Sequence, residues 1–136
     1  MPRCWRKGGV LAFLFEIAPF LKRQGVGRLV YLDQEMAPGQ FTYKVKINLD
    51  EYVLLAAEER GAVIPWVAVP ARAFALVNRL LARSGSRERV YTTQGSIAQS
   101  SLAVFLTAEL YELIQGSGLL SEEEQLLTIE ELLRLI

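Results

Sequence analysis

The amino-acid sequence contains no histidine and only one cysteine, Cys4. The absence of imidazole excludes Ser-His-Asp and Cys-His nucleophiles, histidine-ligated metals and histidine proton shuttles. A single thiol can form neither an internal disulfide nor a thiolate zinc cluster, and a reduced, incidental cysteine is typical of a cytoplasmic protein. We therefore expect no metal, no cofactor and a cytoplasmic location.

Long apolar runs are also missing. Residues 8–21 are apolar apart from Glu16, but fourteen residues are too few to cross a ~30 Å hydrocarbon layer as a helix. The basic start resembles a signal peptide, but Glu16 and Pro19 interrupt the run, so we expect a buried first helix and no membrane span. Hydrophobic residues make up 51% of the chain, which excludes a disordered tail, and residues 1–136 suit a single domain.

The formal net charge is zero, but the charges are unevenly distributed. Residues 1–90 carry a net charge of +6, whereas residues 91–136 hold Arg134 against seven glutamates, a net charge of −6. Such an asymmetry is compatible with a basic surface for an anionic partner. The alternative is that the acidic end folds against the basic body of the same chain or of a neighbouring subunit.

Hydrophobic periodicity and helix-start signals predict an α+β (mixed α/β) fold. Residues 41–49 alternate apolar and polar side chains, which indicates a strand in an antiparallel hairpin with the preceding run. Asn48, Ser96 and Ser121 each precede a Glu or Gln by three residues, the pattern of a capping box. The predicted order is a helix over 10–24, strands over 28–32 and 41–49, a helix over 50–60, a strand over 62–69, a helix over 70–84, a strand over 88–93, and helices over about 96–115 and 119–136. We thus expect one small sheet of about four strands, partly antiparallel, covered by about five helices that end in a C-terminal helical pair.

The turn at 92–96 is a candidate anion site. Gly95 and Ser96 begin a predicted helix directly after a strand, where free N–H groups and the helix dipole favour an anion. Arg87 and Arg89 lie close in sequence and would add positive charge. The segment matches neither the P-loop nor the dinucleotide pattern, and an ordinary capped helix has the same appearance.

A basic face is the candidate nucleic-acid interface. Arg72, Arg79 and Arg83 are spaced by seven and four residues and share one side of a predicted helix. Lys44 and Lys46 share the polar face of the predicted strand at 41–49. If these faces coincide, they would neutralise several phosphates in a salt-dependent manner. No helix-turn-helix or zinc-finger motif is present, and arginines solvated on a helix surface are the ordinary alternative.

The C-terminal segment 119–136 is the candidate association surface. Leu126, Ile129, Leu133 and Ile136 share one face of the predicted last helix, and further leucines lie outside that face. A terminal helix with apolar side chains on two sides either packs deep in its own core or contacts a second chain. These patterns predict a non-enzymatic binding or regulatory module that acts through protein association, as a homodimer. The alternatives are a nucleic-acid-binding protein that uses residues 1–90, and an enzyme or anion-binding protein with a site at 92–96.

Overall fold

The fold is given by a computed structural model of the 136-residue chain, which describes residues 9–26, 31–34, 43–47, 50–55, 68–93 and 102–134. The elements in chain order are α1 (Gly9–Arg23), β1 (Tyr31–Gln34), β2 (Tyr43–Ile47), β3 (Asp50–Leu55), α2 (Ala68–Arg83), β4 (Glu88–Thr93), β5 (Val104–Thr107), α3 (Ala108–Gln115), β6 (Leu126–Thr128) and α4 (Ile129–Leu133). The predicted mixture of helix and strand is confirmed. The predicted single sheet of about four strands and the predicted five helices are not matched exactly, because these ranges form two three-stranded sheets and four helices.

Both sheets have three strands and are antiparallel. The first sheet has the order β1-β2-β3, and the second has the order β5-β4-β6. The antiparallel pairing of the predicted strand at 41–49 with the strand before it is confirmed, and β1 extends two residues beyond the predicted end at residue 32. Helix α2 contacts β3 and β4, and therefore touches both sheets.

The hydrophobic core is built around α2. Its buried residues recur at the spacing of a helix face, from Ala71 through Phe74 and Val77 to Leu81. Phe74 meets Phe13 of α1 edge to face, with ring centroids 5.4 Å apart. The helix begins at Ala68 rather than at Pro70 as predicted, since a proline anywhere in the first turn removes no intrahelical hydrogen bond.

In the sequence, Gly25 or Gly27 is expected to end the helix over 10–24, and Gly85 is expected to end the helix over 70–84. The structure confirms Gly25 and Gly85, which have φ values of +87° and +80°. In each case the amide of the glycine and of the next residue bond back to the last turn, the pattern of a Schellman motif. The two helix ends are also tied to each other. The Ser86 hydroxyl donates to the Gln24 side-chain oxygen (2.6 Å). The Ser84 hydroxyl shares its proton between the Leu81 carbonyl oxygen of α2 (2.8 Å) and the Gln24 carbonyl oxygen (3.2 Å).

The predicted helix over 50–60 is wrong, because residues 50–55 form β3. Asp50 pairs with Ile47, so only two residues separate the two strands. The pairing of a tight hairpin is therefore favoured over the helix that the capping-box pattern at Asn48 predicts. Residues 56–60 lie outside the described residues, as do residues 62–67 of the predicted strand over 62–69. Val69, the last residue of that predicted strand, lies in α2.

The two predicted C-terminal helices are confirmed only in part, since residues 108–115 form α3 and residues 129–133 form α4. Residues 104–107 form β5, and the Thr107 hydroxyl caps α3 by accepting from the Leu110 amide (3.3 Å). The capping-box hydrogen bonds of Ser121 form, but they hold a single turn. The chain then enters β6, which pairs with β4, and a second capping box at Thr128 starts α4. Within the described ranges no helix is both long and apolar enough to span a membrane.

The αL conformation at Gly85 gives a direct test of how α2 ends. A Cβ at this position would meet no atom within 4 Å, so a substitution is penalised through the backbone alone. We expect Gly85→Ala to lower the free energy of unfolding by about 1–2 kcal/mol, measured by urea denaturation. Gly85→Asn is the matched control and should lose less, because asparagine tolerates this conformation. Equal losses in the two variants would contradict this account.

Candidate functional site

Part of the predicted anion site is used for structure. Gly95 and Ser96 lie outside the described residues. Arg87 is exposed, whereas Arg89 is half-buried and donates from one guanidinium nitrogen to the carbonyl oxygens of Ser86 and Glu88, both at 2.7 Å. Arg89 therefore braces the start of β4. A site at 92–96, for an anion or for catalysis, stays a prediction.

The three predicted arginines lie on α2, as expected. Arg79 and Arg83 are exposed, and Arg72 is half-buried. The guanidinium carbon of Arg79 lies 5.7 Å from the ring centroid of Tyr52 on β3, which is a cation–π contact. Arg79 thus has one face against a ring and presents the rest of its guanidinium to solvent.

The predicted lysines lie on a different element from the arginines. Lys44 and Lys46 belong to β2, in the first sheet. A basic face shared by these lysines and the arginines of α2 stays a prediction.

Another group of basic residues comes together where α1 and α2 end. Lys22 and Arg23 are exposed in the last turn of α1, and Arg83 and Arg87 are exposed around the end of α2. The hydrogen bonds of Gln24 to the serines after α2 hold the two ends together across about sixty residues of sequence. We call these four residues the basic end. Glycine stops with basic last turns were visible in the sequence, but their proximity was not.

The four residues predicted for an association surface have different surroundings. Leu126 lies on β6 and Ile129 on α4, and both are buried within the single chain. Leu133 is exposed, and Ile136 lies outside the described residues. The burial of Leu126 and Ile129 needs no second chain. Their role at an interface stays a prediction.

A different apolar surface is exposed around β5 and α3. Leu102, just before β5, is 52% exposed, and Leu110 and Leu113 on α3 are 45% and 69% exposed. We call these three residues the leucine surface. No residue of α3 is buried, and the charged residues of this helix, Glu109 and Glu112, are acidic. Sequence reasoning missed this surface because it placed residues 104–107 in a helix.

Two contacts fix α3 on one face of the second sheet. Tyr111 stacks on Tyr91 of β4, with ring centroids 4.5 Å apart and ring planes 9° from parallel. The Gln115 side chain donates to the Leu126 carbonyl oxygen (3.2 Å) and accepts from the Leu126 amide (3.0 Å). Burial, with a contribution from Tyr111, raises the pKa of Tyr91. The outer side of α3 is thereby held toward solvent.

Among the described residues, no group of three or more Cys, Asp or Glu side chains is arranged to hold a metal ion. No protein-family model matches the chain, and no curated protein or solved structure gives a significant match.

The different surroundings of the C-terminal apolar residues give a test. Ile129 is 2% exposed and belongs to the core, whereas Leu133 is 37% exposed. We expect Ile129→Ala to lower the free energy of unfolding by about 2–5 kcal/mol, because it opens a cavity against α2. Leu133→Ala, one helical turn later, should cost less than about 1 kcal/mol in chemical denaturation. A larger loss at Leu133 would show that a second chain buries it.

Proposed function

We propose that the protein is a small binding module without enzymatic activity, and that it acts by associating with itself as a homodimer. The observation that supports this most is the leucine surface. Apolar side chains on a surface are ordinary when they are scattered singly, but a group on neighbouring elements is typical of interaction sites. Leu102, Leu110 and Leu113 all belong to one strand-to-helix unit, so they are such a group.

The energetic argument favours self-association of this surface. Complete burial of a leucine side chain contributes about 1.5–3 kcal/mol. In a two-fold dimer each leucine occurs twice, so a modest patch is counted twice in the association free energy. The C-terminal segment 119–136 would bury less additional apolar surface at Leu126 and Ile129, since both are already buried within one chain. We therefore place the association at β5 and α3.

Substitution of the leucine surface tests this proposal. We expect the wild-type chain to be dimeric by size exclusion with light scattering, and Leu102→Ser with Leu110→Ser to raise the dimer dissociation constant about tenfold or more. The matched control is Phe15→Ser, because Phe15 is a large exposed apolar residue on α1, at 63% exposure. The control should keep the wild-type mass. A wild-type chain that stays monomeric at all concentrations would refute the proposal.

The second candidate function is nucleic-acid binding, and the basic end is the observation that favours it. Lys22, Arg23, Arg83 and Arg87 are exposed around two joined helix ends, with Arg79 one turn before Arg83. Such a group would contact several phosphates. Against it, cations at helix C-termini also stabilise the helix dipole, which accounts for Lys22, Arg23 and Arg83 without a ligand.

Charge reversal on α2 tests this second candidate. If the arginines contact phosphate, Arg79→Glu with Arg83→Glu should remove retention on a DNA or RNA column at low salt. The slope of log affinity against log salt should also fall by about 2. Arg134→Glu, in the acidic half of the chain, is the control and should leave retention unchanged. Unchanged retention of a folded double variant would eliminate this candidate, as would a wild-type chain that is not retained.

A further inference from the structure

The two outer edges of the second sheet differ. On β6, the Leu126 amide and carbonyl are both bonded to the Gln115 side chain, and the Thr128 amide donates to the Glu131 carboxylate (3.3 Å). These backbone groups point away from β4, which is the one strand among the described residues that pairs with β6. Side chains therefore take the places that another strand would take, and they close this edge to strand addition.

The same hydrogen bonds fix the direction of the backbone groups across the sheet. Since the backbone N–H and C=O groups of Leu126 and Thr128 are directed outward, those of Leu127 must be directed toward its partner Thr92 on β4. The Val90 amide points to the same side as Thr92, beyond the end of β6, and donates to the Asn78 side-chain oxygen (2.7 Å). The backbone N–H and C=O groups of even-numbered residues in β4 are thus directed toward β6, and those of odd-numbered residues are directed toward β5.

This alternation identifies the groups at the outer edge of β5. The backbone groups of Arg89 and Tyr91 in β4 are directed toward β5, so those of their partners Leu106 and Val104 are directed back toward β4. Phe105, between them, must direct its N–H and C=O away from the sheet. The Ala103 carbonyl and the Thr107 amide have the same outward direction. Among the described residues no strand pairs with this edge.

We propose that β5 pairs antiparallel with β5 of a second copy, about a two-fold axis through Phe105, and joins the two second sheets into one of six strands. This proposal rests on the proposed self-association and identifies β5 as the strand at the dimer interface. Phe105 of each copy would donate its N–H to, and accept from, Phe105 of the other copy. Each Thr107 amide would donate to the Ala103 carbonyl oxygen of the second copy. The outward groups are thus the ones that the symmetry requires.

The charge pattern favours a second copy of this chain as the occupant. A two-fold axis places like residues near one another, so a charged edge strand would repel itself. Residues 100–108 contain no charged side chain and no proline, which are the usual protections of an exposed edge. The uncharged strand is therefore compatible with its own copy, whereas β4 has Glu88 and Arg89 on the same sheet.

The proposed register also accounts for the leucine surface. With Phe105 opposite its own copy, Leu102 lies opposite Ala108 of the second copy, the first residue of α3. Leu110 follows in the first turn of that helix. Leu102, Val104 and Leu106 share the face of the sheet on which Tyr91 meets α3. The exposed Leu102 of each copy would thus pack beside Leu110 of the other.

Two charge variants at the same positions test this register. Val104 of one copy would lie opposite Leu106 of the other, so Val104→Glu with Leu106→Glu places like charges opposite, whereas Val104→Lys with Leu106→Glu places opposite charges there. Both variants carry the same residue opposite Arg89 within the chain. We expect the double-glutamate variant to raise the dimer dissociation constant about tenfold or more above the wild-type value. The lysine–glutamate variant should have a dissociation constant within about threefold of the wild-type value at low salt.

Hydrogen exchange of the wild-type chain gives an independent measurement that no unfolded variant can obscure. The Phe105 and Thr107 amides should exchange more slowly as the concentration rises through the dimer transition, while the Val104 and Leu106 amides, bonded to β4, should change less. A wild-type dimer in which the Phe105 amide shows no such dependence, or two charge variants that dimerise equally well, would refute pairing at β5 and leave self-association standing. A wild-type chain that is monomeric would refute both proposals, even if the edge of β5 accepts a strand from another protein.

Discussion

The burial of α2 is the constraint on which the rest of the structure depends. Phe74, Val77 and Leu81 are fully buried, and the helix contacts one strand of each sheet. An amphipathic helix must cover its apolar stripe, and here α1, α4 and the two sheets cover it together. The joined ends of α1 and α2 follow from this packing, because Gln24 meets the serines after α2 only when the two helices lie side by side.

The second sheet depends on side chains as well as on strands. Asn78 of α2 bonds the Val90 amide where β6 is too short to reach, and the Ser86 hydroxyl accepts from the Glu88 amide in the same direction (3.1 Å). Gln115 and Glu131 do the same at the edge of β6. A buried N–H without a partner costs about 1–3 kcal/mol, so the hydrogen bonds to the part-buried amides of Val90, Glu88 and Leu126 stabilise a small sheet of short strands. They also leave β5 as the edge at which backbone groups still lack partners among the described residues.

The sequence predicted best the elements that local chemistry determines. Helix α1, the end of α2 at Gly85, and β4 at 88–93 were recognised from periodicity and glycine stops. It failed where two local signals compete. The capping box at Ser121 forms its hydrogen bonds, yet the apolar residues after it enter a strand, because pairing with β4 is a long-range gain that no local pattern reveals.

The candidate site was harder to predict for the same reason. The leucines at 126–136 are more prominent in the sequence than Leu102 and Leu110, but Leu126 and Leu127 are adjacent strand residues and both are buried. Their neighbouring positions face opposite sides of the sheet, and both sides are covered, so the burial of these two residues does not follow the helical face that the sequence pattern indicates. Exposure is a property of the assembled sheet, and the misassigned strand β5 concealed it.

The charge asymmetry also has a simpler origin in the fold than in an anionic partner. Lys22, Arg23 and Arg83 lie in last helical turns, and Glu130 and Glu131 lie in the first turn of α4, where each sign suits the helix dipole. Much of the excess of each sign is thus placed by helix ends. The uncharged stretch around β5 is then the exception on this surface. A strand edge that carries neither charge nor proline is open to pairing, and its own copy is a partner that repels it least.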